Sequence, residues 1–284
     1  MNLLITGITG YVGSHLYNEL KKDITNTIYG TYNTNQPKTL RTQDKCIHFS
    51  NINQIELKHL IEDNKIDVII NAIGYKNIAG CEKTMLDSNL TIIENLTNII
   101  KKHKIKLVQI STDYVFDGYN GRYAETSVTS PNTYYGKTKL NAEKFLTKEL
   151  LNNLIIRTGG LFGNNHHLFS SVKNSTQFEA FIDKFNTPTS IITLCKSIID
   201  LCKNDAIGIY HITDTLRLNR FDFLSMYLKS INANIKILKS IKAPPNLLIP
   251  YDISLTSTKF NKYQTNQLDR LIEYENRNNS TIIE

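Results

Sequence analysis

Tyr135 and Lys139 stand four residues apart in the run Tyr134-Tyr135-Gly136-Lys137-Thr138-Lys139. On a helix this spacing puts a phenol and an ammonium on one face. A phenol of ordinary pKa, about 10, exchanges protons poorly at neutral pH, and a neighbouring cation favours the phenolate and brings that pKa toward the working range. The pair suits carbonyl reduction, in which carbon takes a hydride and oxygen takes a proton. The same lysine can hydrogen-bond a nicotinamide ribose. Spacing alone is weak, because Tyr17 and Lys21 repeat it in a helix read as surface decoration. Context singles out Tyr135: it follows a strand ending Gln109-Ile110-Ser111-Thr112, whose tip can bring a hydroxyl to the same carbonyl. In open parallel sheets, ligands bind at the carboxyl ends of the strands. Tyr135 and Lys139, with a hydroxyl from that strand tip, are the expected catalytic groups.

A second motif says what shares the site. Gly7-Ile8-Thr9-Gly10-Tyr11-Val12-Gly13 lies between an apolar strand and a helix at the start of the chain. Glycines serve three purposes there: a tight turn, close approach of backbone amides to a pyrophosphate, and packing of helix on strand. The helix N-terminus then presents N–H groups and positive partial charge to the phosphates. The next strand ends Gly30-Thr31-Tyr32-Asn33, with no Asp or Glu between Asp23 and Asp44 to bind adenosine ribose hydroxyls. The expectation therefore leans to NADP(H) over NAD(H), with Lys38 and Arg41 as candidate partners of a 2′-phosphate.

These groups need a scaffold, and 284 residues supply one. At about 150 residues per domain the chain makes one large domain or two modest ones, long enough to bury a core without disulfides or metals. Apolar residues at 40% and charged residues at 21% exclude collagen, coiled coil and intrinsic disorder. Strands are expected at Asn2 to Thr6, Thr27 to Tyr32, Lys45 to Phe49, Asp67 to Ile73, Lys106 to Ser111 and Asn153 to Arg157. Helices are expected from Tyr11 to Lys22, Gln54 to Asp63, in a long stretch ending near Lys104, and from Thr133 to Leu150. This alternation predicts an α/β fold, a doubly wound parallel sheet (Rossmann fold), over residues 1–163. Residues 164–284 are expected to form mostly a small C-terminal substrate-binding lobe, with elements returning to the sheet. There, helices are expected at Ile191 to Cys202, Arg220 to Ser230 and Gln267 to Tyr274, and strands at Gly208 to Thr213 and Asn234 to Leu238.

Charge and cysteines narrow the partners. The net charge is +7, but its densest cluster, Lys101-Lys102-His103-Lys104 with Lys106, falls at a predicted helix end, where the dipole favours cations. No basic-aromatic stripe accompanies it, so neither a nucleic-acid nor a membrane partner is expected. No apolar run approaches the roughly 18 residues of a membrane span. The N-terminal stretch lacks a basic leader and reads as no secretory signal. Cys46, Cys81, Cys195 and Cys202 form no CxxC pair, so reduced thiols and a cytoplasmic location are expected. Cys195 and Cys202 share a helix face and read as core. No metal site is expected: Asn164-Asn165-His166-His167 reads as a loop near the substrate.

Taken together, Gly7-x-x-Gly10-x-x-Gly13, Ser111-Thr112-Asp113-Tyr114-Val115-Phe116-Asp117-Gly118 and the Tyr135/Lys139 run resemble the extended short-chain dehydrogenase/reductase superfamily, and within it the dTDP-4-dehydrorhamnose reductase-like group. Asp67 to Ala72, Arg157 to Gly163 and Pro188-Thr189 extend the resemblance over roughly residues 1 to 230. It implies NAD(P)H-dependent reduction of a nucleoside-diphosphate 4-keto-6-deoxyhexose, in deoxysugar biosynthesis for surface polysaccharide. It implies that Tyr135 donates the proton, Lys139 tunes it and binds the cofactor ribose, Thr112 orients the ketone, and Asp113 lies against the substrate. Gly10, Tyr11 and Val12 would carry the pyrophosphate, His48 and Phe49 would lie near the adenine, and Ala72, Ile73 and Gly74 would line the cofactor with Tyr75 close by.

Two departures matter. Tyr114 stands where related dehydratases carry the glutamate of their acid pair, which argues against water elimination. Ser14-His15 stands where some rhamnose-pathway reductases carry a glutamate that builds a metal-linked dimer, so that metal and that dimer are not carried over; a homodimer of another kind stays open. Tyr123, Glu125 and Tyr134 fit a substrate-side loop and plain surface equally well. Two alternatives accompany the reductase: an epimerase of the same superfamily, and a non-catalytic dinucleotide-binding subunit resembling the beta subunit of methionine adenosyltransferase.

Overall fold

The computed structural model describes residues 1–48, 54–74, 87–163, 166–173, 175, 177–231, 236–240, 242–244, 249–271 and 273. Two compact units share the chain by interleaving. The first comprises Met1–Thr112, Thr133–Arg157 and Cys195–Tyr210, and the second Asp113–Asn132, Thr158–Leu194 and His211–Glu284.

In the first unit, β1 (Asn2–Thr6), β2 (Thr27–Tyr32), β3 (Lys45–His48), β4 (Val68–Asn71), β5 (Lys106–Thr112), β6 (Asn153–Thr158) and β11 (Gly208–His211) make a seven-stranded sheet of order β11-β6-β5-β4-β1-β2-β3. The pairs from β3 through β5 are parallel, in registers such as Thr6↔Asn71 and Asn71↔Gln109. The order 3-2-1-4-5-6 is that of a doubly wound nucleotide-binding sheet, as expected. β4 and β6 are buried along their whole length. Apolar residues on both faces are what parallel strands covered by helices require.

The helices of this unit are α1 (Tyr11–Leu20), α2 (Gln54–Asp63), α3 (Ser88–Ile100), α4 (Tyr134–Glu149) and most of α6 (Ile191–Lys203). Leu57, Ile61, Ile93, Leu96, Ala142 and Leu146 enter one core with Leu4, Ile69, Leu107 and Ile155 of the sheet. Asp87 caps α3 by accepting from the Leu90 amide, and Thr133 caps α4 by accepting from Gly136. α3 ends at Ile100 rather than near Lys104, and Lys101 to Lys104 are exposed. Lys106 departs from the solvated cluster: it is buried and donates to the Ala206 carbonyl oxygen at 3.0 Å.

The second unit holds two short pairings that the sequence pattern does not announce, β7 (Leu161–Phe162) with β10 (Thr189–Ser190) and β9 (Phe185–Asn186) with β12 (Leu218–Asn219), and a longer one, β8 (Gln177–Phe181) with β13 (Lys236–Ser240), of which β13 overlaps the strand expected at Asn234 to Leu238. Two further helices, α5 (His167–Lys173) and α7 (Arg220–Ser230), belong here. Phe162, Phe169, Phe223 and Tyr227 form its aromatic core, with Phe169 and Tyr227 stacked at 3.9 Å. Cys195 and Cys202 on α6 are buried, and burial pushes both thiols up, Cys202 to about 12. No helix among the described residues is long and apolar enough to cross a membrane.

Candidate active site

The glycine turn is built as its sequence requires. Gly7 sits at φ +71°, and the Gly10 amide donates to its carbonyl oxygen at 2.9 Å. The turn is tied to β2 by the Ile8 amide on Thr31 O (2.9 Å) and the Gly7 amide on Thr31 Oγ1 (3.1 Å). A Cβ on Gly13 would stand 2.2 Å from the Gly7 carbonyl oxygen, so only glycine lets α1 come this close to the turn. No side chain caps α1 at Gly10, and Thr9 and Gly10 are exposed with Tyr11 and Val12 half-buried. A diphosphate fits this cradle: open backbone with positive partial charge and no competing side chain.

From the turn, contacts lead across the sheet to α4. A Cβ on Gly7 would meet Ile73 Cγ1 at 3.0 Å, which places the start of the loop after β4 beside the turn. One residue on, a Cβ on Gly74 would stand 3.0 Å from Lys139 Nζ. Lys139 Nζ in turn donates to the carbonyl oxygen of Ile110 at 3.1 Å, two residues before Thr112. The fold thus gathers Gly7, Ala72-Ile73-Gly74, Ile110-Ser111-Thr112 and Lys139 at the carboxyl ends of β1, β4 and β5. Tyr135 lies one helical turn before Lys139 and is half-buried, whereas Lys139 is only 6% exposed.

Below these tips runs a buried polar ladder. Thr6 Oγ1 donates to Asn71 Oδ1 (2.5 Å), Asn71 Nδ2 to Gln109 Oε1 (2.7 Å), and Gln109 Nε2 to Ile110 O (2.7 Å). Asn89 of α3 donates to Thr138 Oγ1 at 2.9 Å, and Thr138 donates to the Tyr135 carbonyl oxygen at 2.8 Å, bracing the turn of α4 that carries Tyr135. Sequence reasoning missed Asn71, Asn89, Gln109, Glu143 and Arg157. A polar residue inside an apolar strand run, as in Val68-Ile69-Ile70-Asn71 and Asn153-Leu154-Ile155-Ile156-Arg157, was the available signal.

His48, expected near the adenine, is exposed at the end of β3, its ring edge-on to that of Tyr32 with centroids 5.5 Å apart. Phe49 and Tyr75 lie outside the described residues, as do Cys81, Asn164 and Asn165. Arg41, a candidate partner of the 2′-phosphate, is engaged inside the protein. Its Nε and Nη2 donate to Asp44 (2.8 and 3.0 Å), Nη1 to Lys21 O (3.0 Å), and Nη2 to Asn26 O (2.9 Å). Burial pushes the Asp44 carboxyl up, but Arg41, the Ile28 amide and the Tyr17 hydroxyl outweigh it and hold it below its ordinary value. Arg41 is a brace joining the end of α1 to β2, which leaves Lys38, exposed, as the other basic residue named for that role.

In the second unit, Asp113 opens a 3₁₀ turn, Asp113–Val115, and is buried. Tyr123 and Glu125 are not surface residues. Tyr123 is stacked on Phe116 at 4.4 Å and hydrogen-bonds Asp117. Glu125 accepts from the His211 amide (3.1 Å), the Thr258 amide (3.0 Å) and the Thr258 hydroxyl (2.7 Å). His166 Nδ1 accepts from the Leu168 amide, and no group of three or more metal-ligating side chains occurs among the described residues.

The chain is similar to known proteins in sequence and in fold. The dTDP-4-dehydrorhamnose reductase of Aggregatibacter actinomycetemcomitans is 29% identical over 179 residues; the match spans 58% of this chain and 61% of that protein, less than two thirds of its length. The methionine adenosyltransferase 2 subunit beta of Xenopus laevis is 25% identical over 85% of this chain and 75% of its own. A crystal structure of the dTDP-4-dehydrorhamnose reductase of Bacillus anthracis in complex with NADP superposes with a TM-score of 0.80 at 19% identity, covering 97% of this chain and 99% of that one. The model of the family described as the RmlD substrate binding domain matches residues 1–271, and the chain belongs to that family.

Proposed function

We propose that this protein is an NAD(P)H-dependent reductase of a nucleoside-diphosphate 4-keto-6-deoxyhexose, acting in deoxysugar biosynthesis for surface polysaccharide. The observation that carries the reading is the continuous trail from the glycine turn through Gly74 to Lys139 and the Thr112 strand tip. The names of the reductase relatives support the substrate class.

The turn residues Gly7, Thr9, Gly10, Tyr11, Val12 and Gly13 hold the diphosphate of the dinucleotide, Ala72, Ile73 and Gly74 line it, and His48 borders the adenine. When bound, the reduced nicotinamide supplies the hydride. Thr112 donates a hydrogen bond to the sugar ketone and sets its orientation, and Asp113 contacts the sugar. Tyr135 gives its phenolic proton to the carbonyl oxygen as carbon becomes a carbinol, and solvent restores that proton. Lys139, kept in place by Ile110 O, lowers the cost of the phenolate and hydrogen-bonds the ribose. Residues 1–163 act as the nucleotide-binding domain and 164–284 mostly as the sugar-binding lobe.

NADP(H) is proposed over NAD(H): β2 ends without an acid, and the Bacillus anthracis relative is in complex with NADP. A cytoplasmic setting is supported by the free thiols of Cys46, Cys195 and Cys202. A second reading, a dinucleotide-binding regulatory subunit, is favoured by the similarity to the methionine adenosyltransferase subunit.

A panel of 4-keto-6-deoxy sugar nucleotides with NADH and NADPH separates the readings. Net cofactor oxidation is expected with at least one sugar, whereas an epimerase regenerates its cofactor on each turnover. A tightly bound partner protein recovered without any turnover would favour the regulatory subunit. Tyr135→Phe is expected to lose turnover by about 100-fold or more with cofactor affinity little changed, and a fully active variant would contradict the proton route.

A further inference from the structure

Glu143 lies one turn beyond Lys139 on α4, in the slanting row Tyr135, Lys139, Glu143. Its carboxylate and the Arg157 guanidinium on β6 are an ion pair closed off from water, with side chains 3% and 4% exposed. Arg157 Nη2 donates to Glu143 Oε2 at 2.7 Å, and Nε donates to both oxygens at 3.1 and 3.2 Å. Ser111 Oγ donates to Glu143 Oε1 at 2.5 Å. One carboxylate therefore joins three elements, β5, α4 and β6, next to the site.

Stability does not account for this choice of residues. Apolar side chains of similar volume usually serve a core as well as a buried ion pair or better, because both charges must be stripped of water. What the pair supplies is a single geometry, since a guanidinium fork on a carboxylate fixes direction as well as distance. Ser111 stands between Ile110, whose carbonyl oxygen holds Lys139, and Thr112. Successive side chains leave a strand on opposite faces, so pinning Ser111 sets the rotation of the strand tip and the direction in which Thr112 leaves it. The helix with Tyr135 and Lys139 and the strand with Thr112 are thereby tied at two points, Lys139 to Ile110 and Glu143 to Ser111.

We propose that Glu143 and Arg157 are positioning residues for the reduction, holding the Thr112 hydroxyl in register with Tyr135; the inference rests on the reductase reading. Ser111→Ala, and Glu143→Leu combined with Arg157→Leu, are compared with wild type for NADPH affinity, thermal unfolding, kcat and KM on the sugar that wild type reduces. Both variants are expected to bind NADPH and sugar within about threefold of wild type while kcat falls about 10–100-fold, the scale of a misplacement near 1 Å. A purely structural pair would shift Tm and leave kcat of the folded enzyme alone. If the double variant does not fold, Ser111→Ala decides, since it removes one hydroxyl. Unchanged kcat in Ser111→Ala and in a folded double variant overturns the inference and leaves the reductase reading standing. A wild-type protein that oxidises NADPH with none of the sugars overturns both.

Discussion

Gln109 and Lys139 converge on one oxygen: Gln109 Nε2 at 2.7 Å and Lys139 Nζ at 3.1 Å both donate to the Ile110 carbonyl. The ladder across the strand tips and the Lys139 ammonium thus end at the same point. Gln109→Met keeps the side-chain length but leaves the buried Asn71 amide without its acceptor. The expected loss is about 1–3 kcal/mol of stability, read by urea unfolding, with NADPH affinity little changed because Lys139 keeps its bond. No loss of stability would mean that water replaces the ladder.

Gly13→Ala tests the cradle. The added methyl would sit 2.2 Å from a backbone oxygen, which no side-chain motion relieves. Either α1 or the turn must shift, at about 1–3 kcal/mol, and the shift falls at the proposed diphosphate cradle. Fluorescence titration with NADPH is expected to show an affinity loss much larger than that of Tyr135→Phe.

Arg41→Ala separates bracing from cofactor choice. Removing the guanidinium strands the fully buried Asp44 carboxylate and frees the Lys21 and Asn26 carbonyls, so stability should fall by about 2–3 kcal/mol, somewhat under a fully enclosed pair. The ratio of kcat/KM for NADPH over NADH should stay unchanged. A large fall in that ratio would return Arg41 to the 2′-phosphate.

Glu125 predicts an acid limb. Burial works to raise its carboxyl, yet the Thr258 hydroxyl and the amides of His211 and Thr258 outweigh it and hold it below its ordinary value. The unfolded chain therefore takes up this proton first as pH falls. The stability Glu125 contributes is full above about pH 4.3 and fades as pH drops through the lower folded value. Glu125→Gln should be less stable at neutral pH and show a shallower decline in unfolding free energy between about pH 5 and 3. A decline as steep as that of wild type would place the acid sensitivity elsewhere.

Much of the sheet is legible in the sequence because β1, β4, β5 and β6 are apolar runs between helical stretches, and β2 has the expected bounds. The two-residue strands β7, β9, β10 and β12 are not, since a pairing so short has no period to read. Tyr135 and Lys139 stand out through their spacing, and Gly7 to Gly13 through its place after β1. The bracing by Arg41 is hidden for a physical reason: an arginine in a polar loop looks available to a ligand until the fold brings Asp44 and two carbonyls to it. Glu143 hides in the opposite way, because a glutamate among Asn141, Lys144 and Lys148 resembles an exposed helix face.

The chain quits the sheet-bearing unit at Asp113, directly after the strand-tip hydroxyl, and re-enters it at Thr133, one residue before the helix that bears the phenol. Tyr123 and Glu125 stand in sequence between Thr112 and Tyr135, yet their partners Phe116, Asp117, His211 and Thr258 all belong to the second unit. A substitution at either residue therefore falls first on the packing of the second unit.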